Sequence, residues 1–161
     1  LAGELSIETK LKRRLTQVFK SHEWDFVLID TPPTLGILTV NALAAANELL
    51  IPVTTHVMSL SGVAQLLATY QEVQEMLNPN LGITGFVASR VDMRTRHARD
   101  VMESLKESFG DQVFSTLIRE NVLLAEAPSF QEPILSYKSK SSAAEDYRML
   151  ASEIIKKHQS S

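Results

Sequence analysis

Asp30 is the residue whose neighbours best prepare it for chemistry. It closes the run Trp24-Asp25-Phe26-Val27-Leu28-Ile29, and Thr31-Pro32-Pro33 follows it. An acid at the tip of a buried strand can hold a hard cation such as Mg2+, directly or through water, as nucleotide hydrolases do. It can equally cap the turn that follows, and the Asp-Thr-Pro-Pro step leaves both readings open. A second candidate is the basic group Arg90, Arg94, Arg96, His97 and Arg99, interrupted by Asp92 and Asp100. Such a group can meet phosphates or simply be solvated. His56, in a loop beyond a strand end, is a third candidate, with a structural role as its alternative.

Several elements must position these residues. Phe26 to Ile29 is apolar, β-branched and aromatic, and too short for a helix, so it predicts a strand buried on both faces. Pro32 and Pro33 deny the ladder further donors, which would put Asp30 at the carboxyl edge of a sheet, where ligands bind in open α/β folds. Ahead of it, Ile7, Leu11, Leu15, Val18 and Phe19 recur at helical spacing up to His22, with Ser6 as N-cap. Lys10, Lys12, Arg13, Arg14 and Lys20 fall on the other face, read as solvated rather than as a nucleic-acid site.

A helix opened by Thr34-Leu35-Gly36 and running through Ala46 comes next, then a strand from Glu48 to Val53 and a helix capped by Ser59 or Ser61 and closed by Asn78-Pro79-Asn80. A strand from Ile83 to Ser89 precedes a helix from about Thr95 to Phe109, which Gly110 ends. Val113 to Ile118 predicts a fourth strand, Pro133 to Tyr137 a short extended piece, and Ser142 to His158 the last helix. Strands alternating with helices through short connections define an α/β class, a mostly parallel sheet flanked by helices. Residues 1–161 are expected to form a single domain.

Composition narrows the chemistry. The 161 residues are 44% hydrophobic, enough for one domain with a core of its own. A net charge of −3 argues against affinity built on a large basic surface. The absence of cysteine excludes disulfides, thiolate metal sites, thiol catalysis and cysteine-ligated clusters. The apolar stretch 35–53 contains Asn41, Asn47, Glu48 and Pro52, so no membrane span is expected, and no secretory signal is read at Leu1-Ala2-Gly3-Glu4. Neither Gly-x-Gly-x-x-Gly nor a glycine-rich loop ending in Gly-Lys-Ser/Thr occurs in the sequence.

Taken together, Val27-Leu28-Ile29-Asp30-Thr31-Pro32-Pro33, Leu35-Gly36, Leu38-Thr39-Val40-Asn41-Ala42-Leu43 and Ile51-Pro52-Val53 resemble the central part of the ParA/Soj chromosome- and plasmid-partition ATPases. These belong to the wider MinD/ParA group of deviant P-loop proteins. The resemblance continues through Leu77-Asn78-Pro79, Asp92-Met93-Arg94-Thr95, Phe109-Gly110, Val113-Phe114, Asn121-Val122, Glu126-Ala127-Pro128-Ser129 and Pro133-Ile134. It implies a P-loop NTPase-like fold, ATP and Mg2+ as cofactors, an ATP-sandwiched homodimer, DNA binding without sequence preference and a ParB-type partner that stimulates hydrolysis. Asp30 would reach Mg2+ through water, with Thr31 and Pro32 in the γ-phosphate switch. Arg119 and Asn121 would lie near the adenine, and Arg94, Arg96 and Arg99 would meet DNA. A cytoplasmic, nucleoid-associated location would follow.

Three departures from the family pattern shape the expectation. The deviant Walker A loop and its lysine are not among these residues, so the fold is expected to be incomplete and the chain to be a carboxyl-terminal portion that neither holds ATP tightly nor hydrolyses it alone. It would then complete its sheet by pairing or swapping with another chain. Glu120 and Leu123 stand where the family carries arginines, which puts DNA binding on Arg94, Arg96 and Arg99. The last helix is expected to end in Lys156-Lys157-His158-Gln159 rather than in an amphipathic membrane tail. Two alternatives stand beside this reading: a non-catalytic pseudo-ATPase module for binding or oligomerisation, and a metabolic relative such as a cobyrinic-acid or dethiobiotin synthetase.

Overall fold

The computed structural model describes residues 7–55 and 59–159, which form two compact units. Ser6 and His56 lie outside the described residues. The first unit contains residues up to 49 together with 61–83, and the second contains 50–60 and 84–161.

In the first unit a 3-10 turn, Ile7–Thr9, leads into α1, Lys10–Val18, which packs on α2, Ile37–Ala45. Asn41 joins them. Its side-chain amide donates to the Ile7 carbonyl at 2.9 Å and its oxygen accepts from the Leu11 amide at 3.2 Å, so a donor that α1 cannot satisfy internally finds a partner. Leu43, Ala44, Val73 and Leu81 form the core, α3 (Ser59–Met76) contributing Val73. Asn78 closes the carboxyl end of α2 by donating to the carbonyls of Leu43 (3.0 Å) and Ala46 (2.7 Å).

The segment 22–36 is neither helix nor strand. This corrects the expectation for Phe26 to Ile29. Leu28 is 91% exposed and Trp24, Phe26 and Val27 about half exposed, and no described strand pairs with them in a ladder. An apolar run becomes a buried strand only when neighbouring strands and covering layers exist, because what is measured as strand preference is largely packing.

The sheet has the order β1-β2-β3, with β1 at Glu48–Thr54, β2 at Gly82–Val91 and β3 at Ile118–Arg119. β2 and β3 are parallel, and its body lies in the second unit. The strand expected over Val113 to Ile118 is reduced to a bridge between Phe86 and Val113 and the two residues of β3. Glu153 of α7, Ser142–Gln159, is the cause: its carboxylate takes the amides of Ser115 (2.8 Å) and Thr116 (2.9 Å) and the Ser115 hydroxyl (2.9 Å), diverting them from a ladder. The piece at Pro133 to Tyr137 is likewise not extended. Ile134–Tyr137 is a helical turn, α6, entered from Pro133, whose φ of −70 suits a helix start.

Glu153 gives the fold an acid sensitivity. Burial opposes its charge, but the hydrogen bonds from Thr116 and Ser115 together outweigh that and hold its pKa below the ordinary value. A depressed carboxyl pKa contributes stability above the unfolded value of about 4.3, and that contribution is lost as pH falls through the folded one. In urea melts as a function of pH, Glu153→Gln is expected to lower stability at pH 7 and to flatten the acid limb below about pH 4.3. An unchanged acid limb in the variant would assign that sensitivity to other groups.

Candidate functional site

At the carboxyl end of β2 the chain makes a bulge. The register shifts between Ser89 and Val91, and Arg90 takes a positive φ of 53, a conformation a long side chain adopts only when neighbours enforce it. Here the Thr55 amide donates to Ser89 O (3.3 Å) and the Thr55 hydroxyl to Arg90 O (3.1 Å). The bulge sends the Arg90 guanidinium to Glu120 at 3.2 Å, just past β3.

The following turn prepares α4, Arg96–Phe109. Asp92 accepts from the Arg94 amide at 3.1 Å, and its carbonyl accepts from the Thr95 amide (3.0 Å) and hydroxyl (2.9 Å). Thr95 then caps α4 by accepting from the Ala98 amide at 3.2 Å. The Arg94 guanidinium, 90% exposed, forks onto both oxygens of Asp92, at 2.9 and 2.8 Å. That hydrogen-bonded pair holds the Asp92 pKa at about 2 and raises that of Arg94, so both stay ionised at neutral pH. Arg96 and Arg99 are exposed on the first turn of α4.

Beyond β3, Arg119 turns onto α7. Its backbone amide, Nε and Nη2 all donate to the Asp146 carboxylate, at 2.6 to 3.1 Å, and Nη2 also reaches the Ser142 carbonyl at 3.3 Å. The Asp146 side chain is 6% exposed and the Arg119 side chain 48%. Asn121 caps α5, Val122–Glu126, by accepting from the Leu123 amide at 3.0 Å, and its amide nitrogen donates to the Ser142 hydroxyl at 3.3 Å. Residues 119–121 are therefore fastened to the first turn of α7. Asp146 carries this arrangement, and sequence reasoning passed it over. The signal was available: α7 buries Ala143, Ala144 and Leu150, and Asp146 is the charged residue among them.

Asp30, Thr31 and Pro32 lie in the first unit, within the exposed segment 22–36. Among the described residues no group of three or more His, Asp or Glu side chains is placed to hold a metal ion. Mg2+ binds through one or two carboxylates, several waters and substrate phosphates, and the Asp30 carboxyl is exposed to solvent.

A parallel sheet flanked by helices, with its polar and charged turns collected past the carboxyl ends of β2 and β3, defines the chain as a P-loop NTPase-like α/β protein. The family model described as AAA domain matches residues 1–83, and the chain belongs to that family, with Soj/ParA chromosome-partitioning ATPases among its homologues. It is 44% identical over 155 residues to the chromosome-partitioning ATPase Soj of Treponema pallidum, covering 96% of this chain and 60% of that protein. With the sporulation initiation inhibitor protein Soj of Bacillus subtilis the identity is 42% over 154 residues, again 96% of this chain and 60% of the relative. Among solved structures, the cobyrinic acid a,c-diamide synthase of Mycobacterium smegmatis with bound ADP and magnesium is similar with a TM-score of 0.78 and 30% identity, over 97% of this chain and 56% of that one. The chain thus spans about 60% of the length of the Soj relatives. No described helix is long and apolar enough to cross a membrane.

Proposed function

We propose that this chain is the nucleotide-switch and nucleic-acid-binding portion of a partition ATPase that binds ATP, dimerises around it and moves DNA with a ParB-type partner. The observation that carries this reading is the 44% identity to a chromosome-partitioning ATPase across 96% of the chain. Asp30 holds Mg2+ through water, and Thr31 and Pro32 form the segment that responds to the γ-phosphate. Bound Mg2+ would neutralise charge on the phosphates. Asn121, set in place through Ser142, contacts the base, while Arg119 serves it from behind by clamping the 119–121 segment to Asp146. Arg96 and Arg99 meet the DNA backbone; Arg94, held by Asp92, adds a cation only if that pair opens. In a living cell the protein works in the cytoplasm on the nucleoid.

The 161 residues hold no glycine-rich phosphate loop, and phosphates need such a cradle of backbone amides. Mg-ATP titrated calorimetrically into this chain is therefore expected to give no tight binding. The same titration into a chimera, with the Treponema Soj segment that precedes the matched residues fused ahead of Leu1, is expected to bind and hydrolyse ATP. Asp30→Ala in that chimera should lower hydrolysis by about a hundredfold or more, the scale of losing an electrostatic group that acts on the transferred phosphoryl. Tight ATP binding by this chain alone, or none by the chimera, would overturn the reading.

The likeness to the diamide synthase supports a second reading, an ATP-dependent ligase acting on a small carboxylic acid. The higher identity to Soj, 44% against 30%, places it second. ATP turnover by the chimera that rises with DNA favours partition, and turnover that rises only with a carboxylic-acid substrate favours the ligase.

A further inference from the structure

Asn121 uses only half of its hydrogen-bonding capacity inside the fold. A side-chain amide has two oxygen lone pairs and two N–H donors. Oδ1 accepts from the Leu123 amide at 3.0 Å, and Nδ2 donates to the Ser142 hydroxyl at 3.3 Å. Among the described residues these are the partners of its side chain, so one acceptor position and one donor stay open.

The two bonds do different things. The first caps α5, and it decides which end of the amide is oxygen, since a turned-over amide would set Nδ2 against the Leu123 N–H. The second adds nothing to that cap; it fixes the plane of the amide. Ser142 can do so because it is itself held. It opens α7, whose first turns bury Ala143, Ala144 and Asp146, and its carbonyl accepts from Arg119 Nη2 at 3.3 Å. The backbone under Asn121 is equally fixed, by the Glu120 amide on the Val91 carbonyl at 3.1 Å and by Arg119 on Asp146.

On the reading that Asn121 contacts the base, we infer that Ser142 is a positioning residue for base selection: by holding the plane of Asn121 it makes that amide take adenine in preference to guanine. Adenine presents a donor, its 6-amino group, beside an acceptor ring nitrogen, and a side-chain amide meets both at once. Guanine carries an oxygen at position 6, which would face the open lone pair of Oδ1 and set two acceptors against each other. That difference is felt only while donor and acceptor lie in the plane of the base, because a hydrogen bond weakens steeply as it bends. An alanine at position 142 leaves the amide on a single tether, free to swing out of that plane.

The test is calorimetric titration of Mg-ATP and Mg-GTP into the chimera with the Treponema Soj segment ahead of Leu1, which contains the whole chain, and into its Ser142→Ala and Ser142→Thr variants. Thermal melts check that all three fold alike. The parent is expected to prefer ATP by about fivefold or more, the lower end for a two-pronged amide contact. Ser142→Ala is expected to reduce that preference by about threefold, the scale of one hydrogen bond, and Ser142→Thr, which keeps the hydroxyl, to retain it. A preference unchanged in Ser142→Ala, or ATP and GTP weakened equally, would give Ser142 a structural part alone and overturn the inference while the partition reading stands. So would a parent chimera that binds both nucleotides alike. No ATP binding by the chimera would overturn the function reading itself, and the role of Ser142 with it.

Discussion

Replacing Gly85 by alanine is expected to lower the stability of this protein by about 4 kcal/mol, and by valine to prevent folding. Gly85 lies in β2 with φ +154, and a Cβ built there would sit 2.5 Å from the Gln112 carbonyl oxygen and 2.8 Å from the Phe114 ring. Neither neighbour can yield cheaply. The Val113 amide is held by Gly110 O at 3.1 Å and the Phe114 amide by Phe86 O at 2.9 Å, so the backbone on both sides of the clash is fixed. Phe86, buried and stacked on Phe109 at 3.9 Å, fixes the strand from within. To admit a methyl group the 112–114 segment must move off β2 and give up the Phe86–Val113 bridge. Gly62, in α3, is the control: a methyl group added there would meet nothing within 4 Å, and Gly62→Ala should gain about 0.5 to 1 kcal/mol from helix preference alone. Thermal melts of both variants provide the comparison. A Gly85→Ala protein that melts with the wild type would show that the β2 contact is looser than these distances require.

Arg119→Ala should destabilise more than Asp146→Asn, although the two changes remove the same ion pair. The asymmetry comes from burial. Without the guanidinium, the Asp146 carboxylate keeps the Arg119 backbone amide but is otherwise a charge with its side chain only 6% exposed. Without the carboxylate, Arg119 is left with a side chain 48% exposed, which water can solvate. Arg119→Lys should fall between, since an ammonium cannot reproduce the two-pronged contact. The double variant Arg119→Leu, Asp146→Leu should lie close to the wild type, as apolar replacement of buried pairs often does. Urea midpoints for the set decide it. Equal costs for the two single changes would mean that the pair is solvated from both sides and clamps nothing.

Arg119, which the family pattern puts near the adenine, is hydrogen-bonded to Asp146 of α7. Its partner Asp146 was legible only as a charge on a helix face that otherwise buries Ala143, Ala144 and Leu150. Arg94 is similar. As a sequence element it belongs to a basic cluster, yet two residues away Asp92 engages its Nε and Nη2. Charge counting sees sign and proximity along the chain but not which cation a carboxylate will choose.

The sequence by itself determined the longer helices, the α/β class and the family. Leu11 and Leu15 on one side of α1, Thr95 and Gly110 at the ends of α4, and the continuous apolar runs of β1 and β2 are local patterns, set by helical period, capping and side-chain shape within a few residues. What only the tertiary structure decided is what those elements do with groups far away in the chain. Phe26 to Ile29 has the composition of a buried strand but stays exposed, since a strand exists only with a neighbour to pair with. Residues 115 and 116 look like strand but donate to Glu153, 38 and 37 positions on, because a carboxylate that reaches two adjacent amides competes with the ladder for them.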